Sequence, residues 1–160
     1  MKLTEHFSME ELTASNTAKA RHIDNTPGEQ ETENLKSLAS TLESIRKEYG
    51  KPITVTSAFR CKRLNSLVSS AKTSSHIYGL AADTRPADGN MAAYQAAVLR
   101  WSKSNSFDQI ILERVSGNIA AWIHIGLRHG ATGRQRQQIL YTPDCKHYYV
   151  VPQNSKFHKV

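Results

Sequence analysis

Cysteine is scarce in this chain, with two residues, Cys61 and Cys145, among 160. They lie far apart without a C-x-x-C spacing, which argues against a cysteine zinc knuckle. Two free thiols are the expectation for a chain made in a reducing compartment. Long apolar runs are missing too. Stretches such as Ile110-Ile111-Leu112 fall far short of the ~20 residues that cross a bilayer, so no membrane insertion is expected. The opening residues, Met1-Lys2-Leu3-Thr4-Glu5-His6, lack the apolar stretch of a secretory signal. The expected origin is therefore cytoplasmic, with any role at the cell wall depending on release or on delivery by another system. No internal repeat and no low-complexity linker divides the chain. No Lys/Arg cluster is interleaved with aromatics as a base-stacking surface would be, so no specific nucleic-acid partner is expected.

What is present fits a single domain over residues 1–160. Hydrophobic residues make up 39% and charged residues 22%, the balance of an ordinary globular chain long enough for one core. The formal net charge is +7, and much of the excess comes late. Arg128, Arg134 and Arg136 are followed by Lys146, Lys156 and Lys159, so residues 128–160 read as a basic C-terminal extension. Such a surface suits an anionic polymer, or it is simply a solvated basic face.

Periodicity gives the elements. Ser8 before Met9-Glu10-Glu11 reads as an N-cap opening a short helix to Ser15. Leu35, Leu38, Leu42 and Ile45 form one stripe of a long helix over Gln30–Tyr49, which Gly50 and Pro52 end. Ile53–Ser57 is β-branched and reads as a strand. A short helix is expected over Arg60–Val68, with Leu64, Leu67 and Val68 inward, and then a polar loop over Ser69–Ser75. Leu80–Thr84 reads as a strand, Pro86–Asn90 as a turn and Met91–Ser104 as a second good helix. Asp108–Arg114 and Ala121–Leu127 read as an antiparallel pair around Ser116-Gly117-Asn118, and Tyr148–Val151 as one more strand. The fold class is α+β, a small and mainly antiparallel sheet flanked by helices.

The chemistry concentrates in two segments. In Ser74-Ser75-His76-Ile77-Tyr78-Gly79-Leu80-Ala81-Ala82-Asp83, the histidine and the aspartate are seven residues apart. On one unbroken strand that odd spacing puts them on opposite faces. They converge only if the chain bends, and Gly79 offers the bend. In Trp122-Ile123-His124-Ile125-Gly126-Leu127, Ile123, Ile125 and Leu127 take the core side. Trp122, His124 and Gly126 then face the other way, toward a pocket. His76, Asp83 and His124 would make a three-ligand metal site with an open position, as in catalytic zinc centres. Spacing alone leaves the plainer reading open, because a single histidine beside a strand is more often hydrogen-bonded or exposed than a ligand. His6, His22, His129, His147 and His158 have no ligand-like grouping and read as surface residues.

These residues also match a known pattern. Ser57-Ala58-Phe59-Arg60, then Leu64-Asn65, then Ser74-x-His76-x-x-Gly79-x-Ala81-x-Asp83 resembles the signature of the zinc D-Ala-D-Ala carboxypeptidase family. These are the hedgehog-type metallopeptidases, which include phage endolysins. Trp122-Ile123-His124 is similar to the family's later Trp-x-His motif. Phe7-Ser8, Glu11-Leu12, Ser15, Asp24-Asn25-Thr26-Pro27 and the strand from Phe107 to Glu113 resemble a branch common in phages and prophages. The resemblance runs over residues 3 to 127. It implies a hedgehog/DD-peptidase-like fold and zinc held by His76, Asp83 and His124. It also implies hydrolysis of peptidoglycan stem peptides, as a D,D-carboxypeptidase or an endopeptidase. By the same resemblance Arg60 contacts substrate and the developing oxyanion, which suits a guanidinium fork. Trp122 would flank the substrate pocket. Ser74 is either a pocket hydroxyl or a turn cap.

One position departs from the pattern. Many members carry an acidic general base three residues before the last histidine, where this chain has Ala121. Glu113 is the replacement candidate, since it shares a strand face with Gln109 and Ile111 next to the His124 strand. Its plainer reading is a solvated strand-end glutamate, and Asp108 is a second candidate. Without a base, the alternative is a non-catalytic zinc-binding structural or wall-binding module of a phage-type assembly.

Overall fold

A computed structural model of the chain describes residues 1–69, 71–128 and 134–159. It opens with two short helices, α1 (Met9–Thr13) and α2 (Asn16–Ala20), where the sequence pattern suggested one reaching Ser15. Ser8 caps the first, its hydroxyl accepting from Glu11 N at 3.1 Å. Ala14 is extended, and Ser15 starts a fresh helix by accepting from Ala18 N at 3.1 Å. A second capping serine therefore interrupts what periodicity reads as one segment.

Helix α3 (Glu29–Tyr49) is the main support of the molecule. Leu35, Leu38, Leu42 and Ile45 are fully buried along it, and Gly50 closes it at φ 79°, as a left-handed C-cap does. Strand β1 (Ile53–Ser57) follows, then α4 (Lys62–Val68). Only Leu64 of the expected inward trio is buried, against Ala18 and Ile23. Leu67 is 49% and Val68 44% exposed. They belong to the last turn of a seven-residue helix, and the cluster beneath Leu64 is too small to cover them.

The remaining elements are β2 (Ala81–Pro86), α5 (Met91–Ser102), β3 (Gln109–Glu113), β4 (Trp122–Gly126), β5 (Gln138–Thr142) and β6 (Tyr149–Val150). A 3₁₀ turn at Ser75–Tyr78 precedes β2, and another at Lys156–Lys159 ends the chain. The six strands form one sheet in the order β1-β2-β4-β3-β5-β6. Every pairing is antiparallel except β3 with β5, which is parallel. The architecture is thus α+β with a mainly antiparallel sheet. Within the tail, β5 and β6 extend the sheet on the β3 side. Ser70 of the expected loop, and residues 129–133, lie outside the described residues.

The two faces of the sheet divide the labour. Ala82, Ile110, Leu112, Ile123 and Ile125 join the α3 stripe with Tyr94 and Val98 of α5 in one core. The alternation of a strand then fixes Asp83, Glu113, Trp122 and His124 on the other face.

Candidate metal centre

Strand register brings the site together. Asp83 on β2 sits directly opposite His124 on β4, and His124 in turn sits opposite Ile111 on β3. Asp83 Oδ1 lies 3.1 Å from His124 Nδ1. His76 reaches the same point from the 3₁₀ turn, with Nε2 at 3.6 Å from Asp83 Oδ2. Gly79 provides the expected bend: it ends the turn at φ 71°, with its N–H donating to His76 and Ser75 carbonyls. A Cβ there would stand 2.8 Å from the Glu31 carbonyl and 3.0 Å from Leu35 Cγ. Both conformation and space thus require glycine. Gly126 has a second clearing role, since a Cβ there would meet His124 Nε2 at 3.2 Å.

The ligand atoms of His76, Asp83 and His124 all lie within 4.8 Å of one another. The two imidazoles meet edge-on, with ring centroids 5.2 Å apart. His76 Nδ1 is 2.7 Å from the Ala58 carbonyl oxygen. A carbonyl only accepts, so Nδ1 carries the proton and the Nε2 lone pair is left for a ligand. Burial pushes His76 below its ordinary value, with Asp83 opposing in part. Burial alone would raise Asp83, but its bonds to His124 and His76 outweigh that and hold the carboxyl far below the usual range. A neutral imidazole with an oriented lone pair and an ionised carboxylate are the protonation states that metal ligation needs. Two imidazoles and one carboxylate fit zinc or a similar first-row divalent ion.

Around this group stand the other residues singled out in the sequence. Arg60 donates its backbone N–H to the His76 carbonyl at 3.1 Å, which ties its loop to the site. Its side chain is largely buried, and Nε is without a partner among the described residues. Burial lowers the guanidinium's value and the Asp83 charge opposes this. A buried donor without an acceptor is a place for an incoming oxygen. Ser74 caps the 3₁₀ turn, its hydroxyl accepting from His76 N at 3.3 Å. The cap reading therefore accounts for that hydroxyl.

Glu113 sits opposite Trp122 and so on the same face as His124. It is 8% exposed rather than solvated. Burial pushes its carboxyl above the ordinary 4.5, the His124 imidazole opposes, and the Asp83 charge adds to the rise. Ala121 contributes only its backbone N–H, donated to the Glu113 carbonyl at 2.8 Å. Asp108 is engaged elsewhere. Its carboxylate takes Arg136 Nε at 3.1 Å and Nη2 at 2.8 Å, with Arg128 Nε at 3.5 Å. It lines a cavity of about 430 Å³ with Glu31, Tyr78, Leu80 and Arg136 among others, and none of the three metal-group residues borders that space. Among the described residues, no other group of three His, Cys, Asp or Glu side chains converges this way. Both cysteines are free.

Sequence reasoning passed over four contributors. The Ala58 carbonyl orients His76 through its backbone and leaves no mark in residue type. Strand alternation puts Gly126 on the pocket face but does not reveal that its missing side chain clears space for His124 Nε2. Cys145, in the tail, reaches Glu113 only because β5 pairs with β3, and Tyr148 bonds the Cys145 carbonyl.

The fold is thus an α+β domain whose sheet carries a His/Asp/His group able to hold a metal ion. The Peptidase M15 family model matches residues 5–126, so the chain belongs to that family, whose peptidases are in general zinc-dependent. Among curated proteins, none matches at a significant level.

Proposed function

We propose that the protein is a zinc metallopeptidase that hydrolyses peptide bonds in peptidoglycan stem peptides, as a D,D-carboxypeptidase or an endopeptidase. The reading is carried by one arrangement: three ligand atoms within 4.8 Å, beside a buried glutamate on the same sheet face, in a chain of the Peptidase M15 family. His76 Nε2, Asp83 and His124 Nδ1 would hold the ion. Bound zinc would supply Lewis acidity toward the scissile carbonyl and lower the pKa of an attacking water.

The chain's own residues account for the rest. Glu113 takes the proton of the attacking water on a carboxylate oxygen and returns it to the leaving amine. Its buried setting suits this work, because a raised carboxyl is a stronger base than an exposed one. The Arg60 guanidinium offers its unpartnered donor to a substrate carboxylate or to the developing oxyanion. Trp122 walls the pocket beside Glu113. Ser74 acts through the backbone of His76, which it caps. The basic surface suits an anionic wall polymer, reached after release or delivery.

The test is turnover of purified peptidoglycan and of a synthetic stem peptide, with products identified by mass. The wild type is expected to release stem-peptide fragments. Glu113→Gln is expected to lose about 10²–10⁴-fold in kcat while retaining its zinc. Zinc binding by the wild type with no product from either substrate would instead support a non-catalytic module, the reading that Ala121 favours.

A further inference from the structure

The C-terminal segment beyond the family match reaches the candidate base. Thr142, the last residue of β5, lies opposite Glu113 at the end of β3. From there the chain makes a turn built largely from its own side chains. Thr142 Oγ1 accepts from Cys145 N at 2.9 Å. The Asp144 carboxylate accepts from Lys146 N and His147 N, both at 2.8 Å, and pairs with His147 Nδ1 at 2.6 Å. Tyr148 donates its hydroxyl to the Cys145 carbonyl at 3.3 Å. Held in this way, Cys145 adopts φ 60°, a left-handed conformation that a non-glycine residue keeps only where its surroundings enforce it. The outcome is that its thiol donates to Glu113 Oε2 at 3.5 Å. Among the described residues no other donor reaches that carboxylate.

We propose that Cys145 is a positioning residue for the peptidase reaction, its thiol fixing the rotamer of the Glu113 carboxylate, with the Thr142–Tyr148 turn as its mount. The inference rests on the reading of Glu113 as general base. One carboxylate oxygen is occupied by the S–H donor, which leaves the other free to act on a proton. Burial and then the Glu113 charge push the thiol up, with Arg114 beside it opposing in part, so it stays protonated at neutral pH and remains a donor. A base held in one orientation loses less on reaching the reactive geometry.

Two measurements on zinc-loaded protein decide the matter. In kinetics, Cys145→Ala is expected to lower kcat about 3–10-fold, the scale of one modest hydrogen bond. KM is expected to stay within about twofold, since substrate contacts are untouched, and Cys145→Ser to restore most of the rate. In a Glu113→Gln background, Cys145→Ala is expected to add nothing further. An equal loss in that background, with no rescue by serine, would overturn the proposal in favour of a merely structural turn.

The second readout is independent of turnover: the rate of Cys145 alkylation by iodoacetamide, followed by peptide mass so that Cys61 is counted separately. Glu113→Gln is expected to speed it several-fold, because removing the carboxylate charge frees thiolate. An unchanged rate would show that thiol and carboxylate are not in contact and would overturn the proposal. Should Glu113→Gln keep full turnover, the base assignment fails by itself, and the alkylation rates still decide the contact.

Discussion

At the residue scale, Glu113 is the proposed base. Its carboxyl titrates above the ordinary 4.5 because it is buried. Activity that needs the carboxylate is therefore lost on acidification at a higher pH than an exposed glutamate would give. The acid limb of kcat/KM against pH is expected above about 4.5, and a limb at or below that value would contradict the role. Stability follows with the opposite sense of benefit. The native state binds this proton more tightly than the unfolded chain. The Glu113 contribution is thus fully present below 4.5 and is lost as pH rises through its folded value. Glu113→Gln should accordingly raise the melting temperature at neutral pH and leave it nearly unchanged near pH 4. Gly126 belongs to the same scale. A Cβ at 3.2 Å from His124 Nε2 forces the imidazole to shift, so Gly126→Ala is expected to weaken zinc affinity by about tenfold, as read by competition with a chelator.

At the scale of elements, periodicity reported what burial enforces. The Leu35-Leu38-Leu42-Ile45 stripe marks α3 because these positions line the core, and Leu42→Ala is expected to cost about 2–5 kcal/mol in denaturant melts. Strand alternation separated the core-facing Ile123 and Ile125 from His124, and register did the rest by setting Asp83 opposite it. Gly79 as the bend was legible for the same reason: only a break in the strand lets His76 and Asp83 meet. Gly79→Ala combines a left-handed backbone with a Cβ placed 2.8 Å from the Glu31 carbonyl. A loss of about 2 kcal/mol or more is expected by thermal denaturation, with weaker zinc binding alongside. The split between α1 and α2 follows a local cap, Ser15 accepting from Ala18 N, which hydrophobic periodicity does not weigh, and the exposure of Leu67 and Val68 depends on what lies beneath the last turn of α4. Only the second lies outside local sequence altogether.

At the scale of the whole molecule, the least legible part was the tail. Ile139, Leu140 and Tyr141 carry strand-like residue types, yet β5 pairs in parallel with β3, from Gln109 opposite Gln138 to Glu113 opposite Thr142. Such a pairing joins segments that no local pattern connects. Its consequences are structural as well as chemical. Val151 and Phe157 are buried in the main core, and Arg136 clamps the tail to Asp108 through three bonds. A chain cut after Leu127 would expose the β3 edge and part of that core. It is expected to aggregate and to lose its cooperative melt, as size exclusion and calorimetry would report. The region that matches the family is on this view an incomplete sheet, and the tail contributes both closure and the turn beside Glu113.

The central claim is that His76, Asp83 and His124 form one metal centre, and metal content tests it most directly. Purified wild-type protein analysed by atomic emission is expected to hold one zinc per chain, and His76→Ala, folded by circular dichroism, to hold almost none. Stoichiometric zinc surviving in His76→Ala would contradict the assignment.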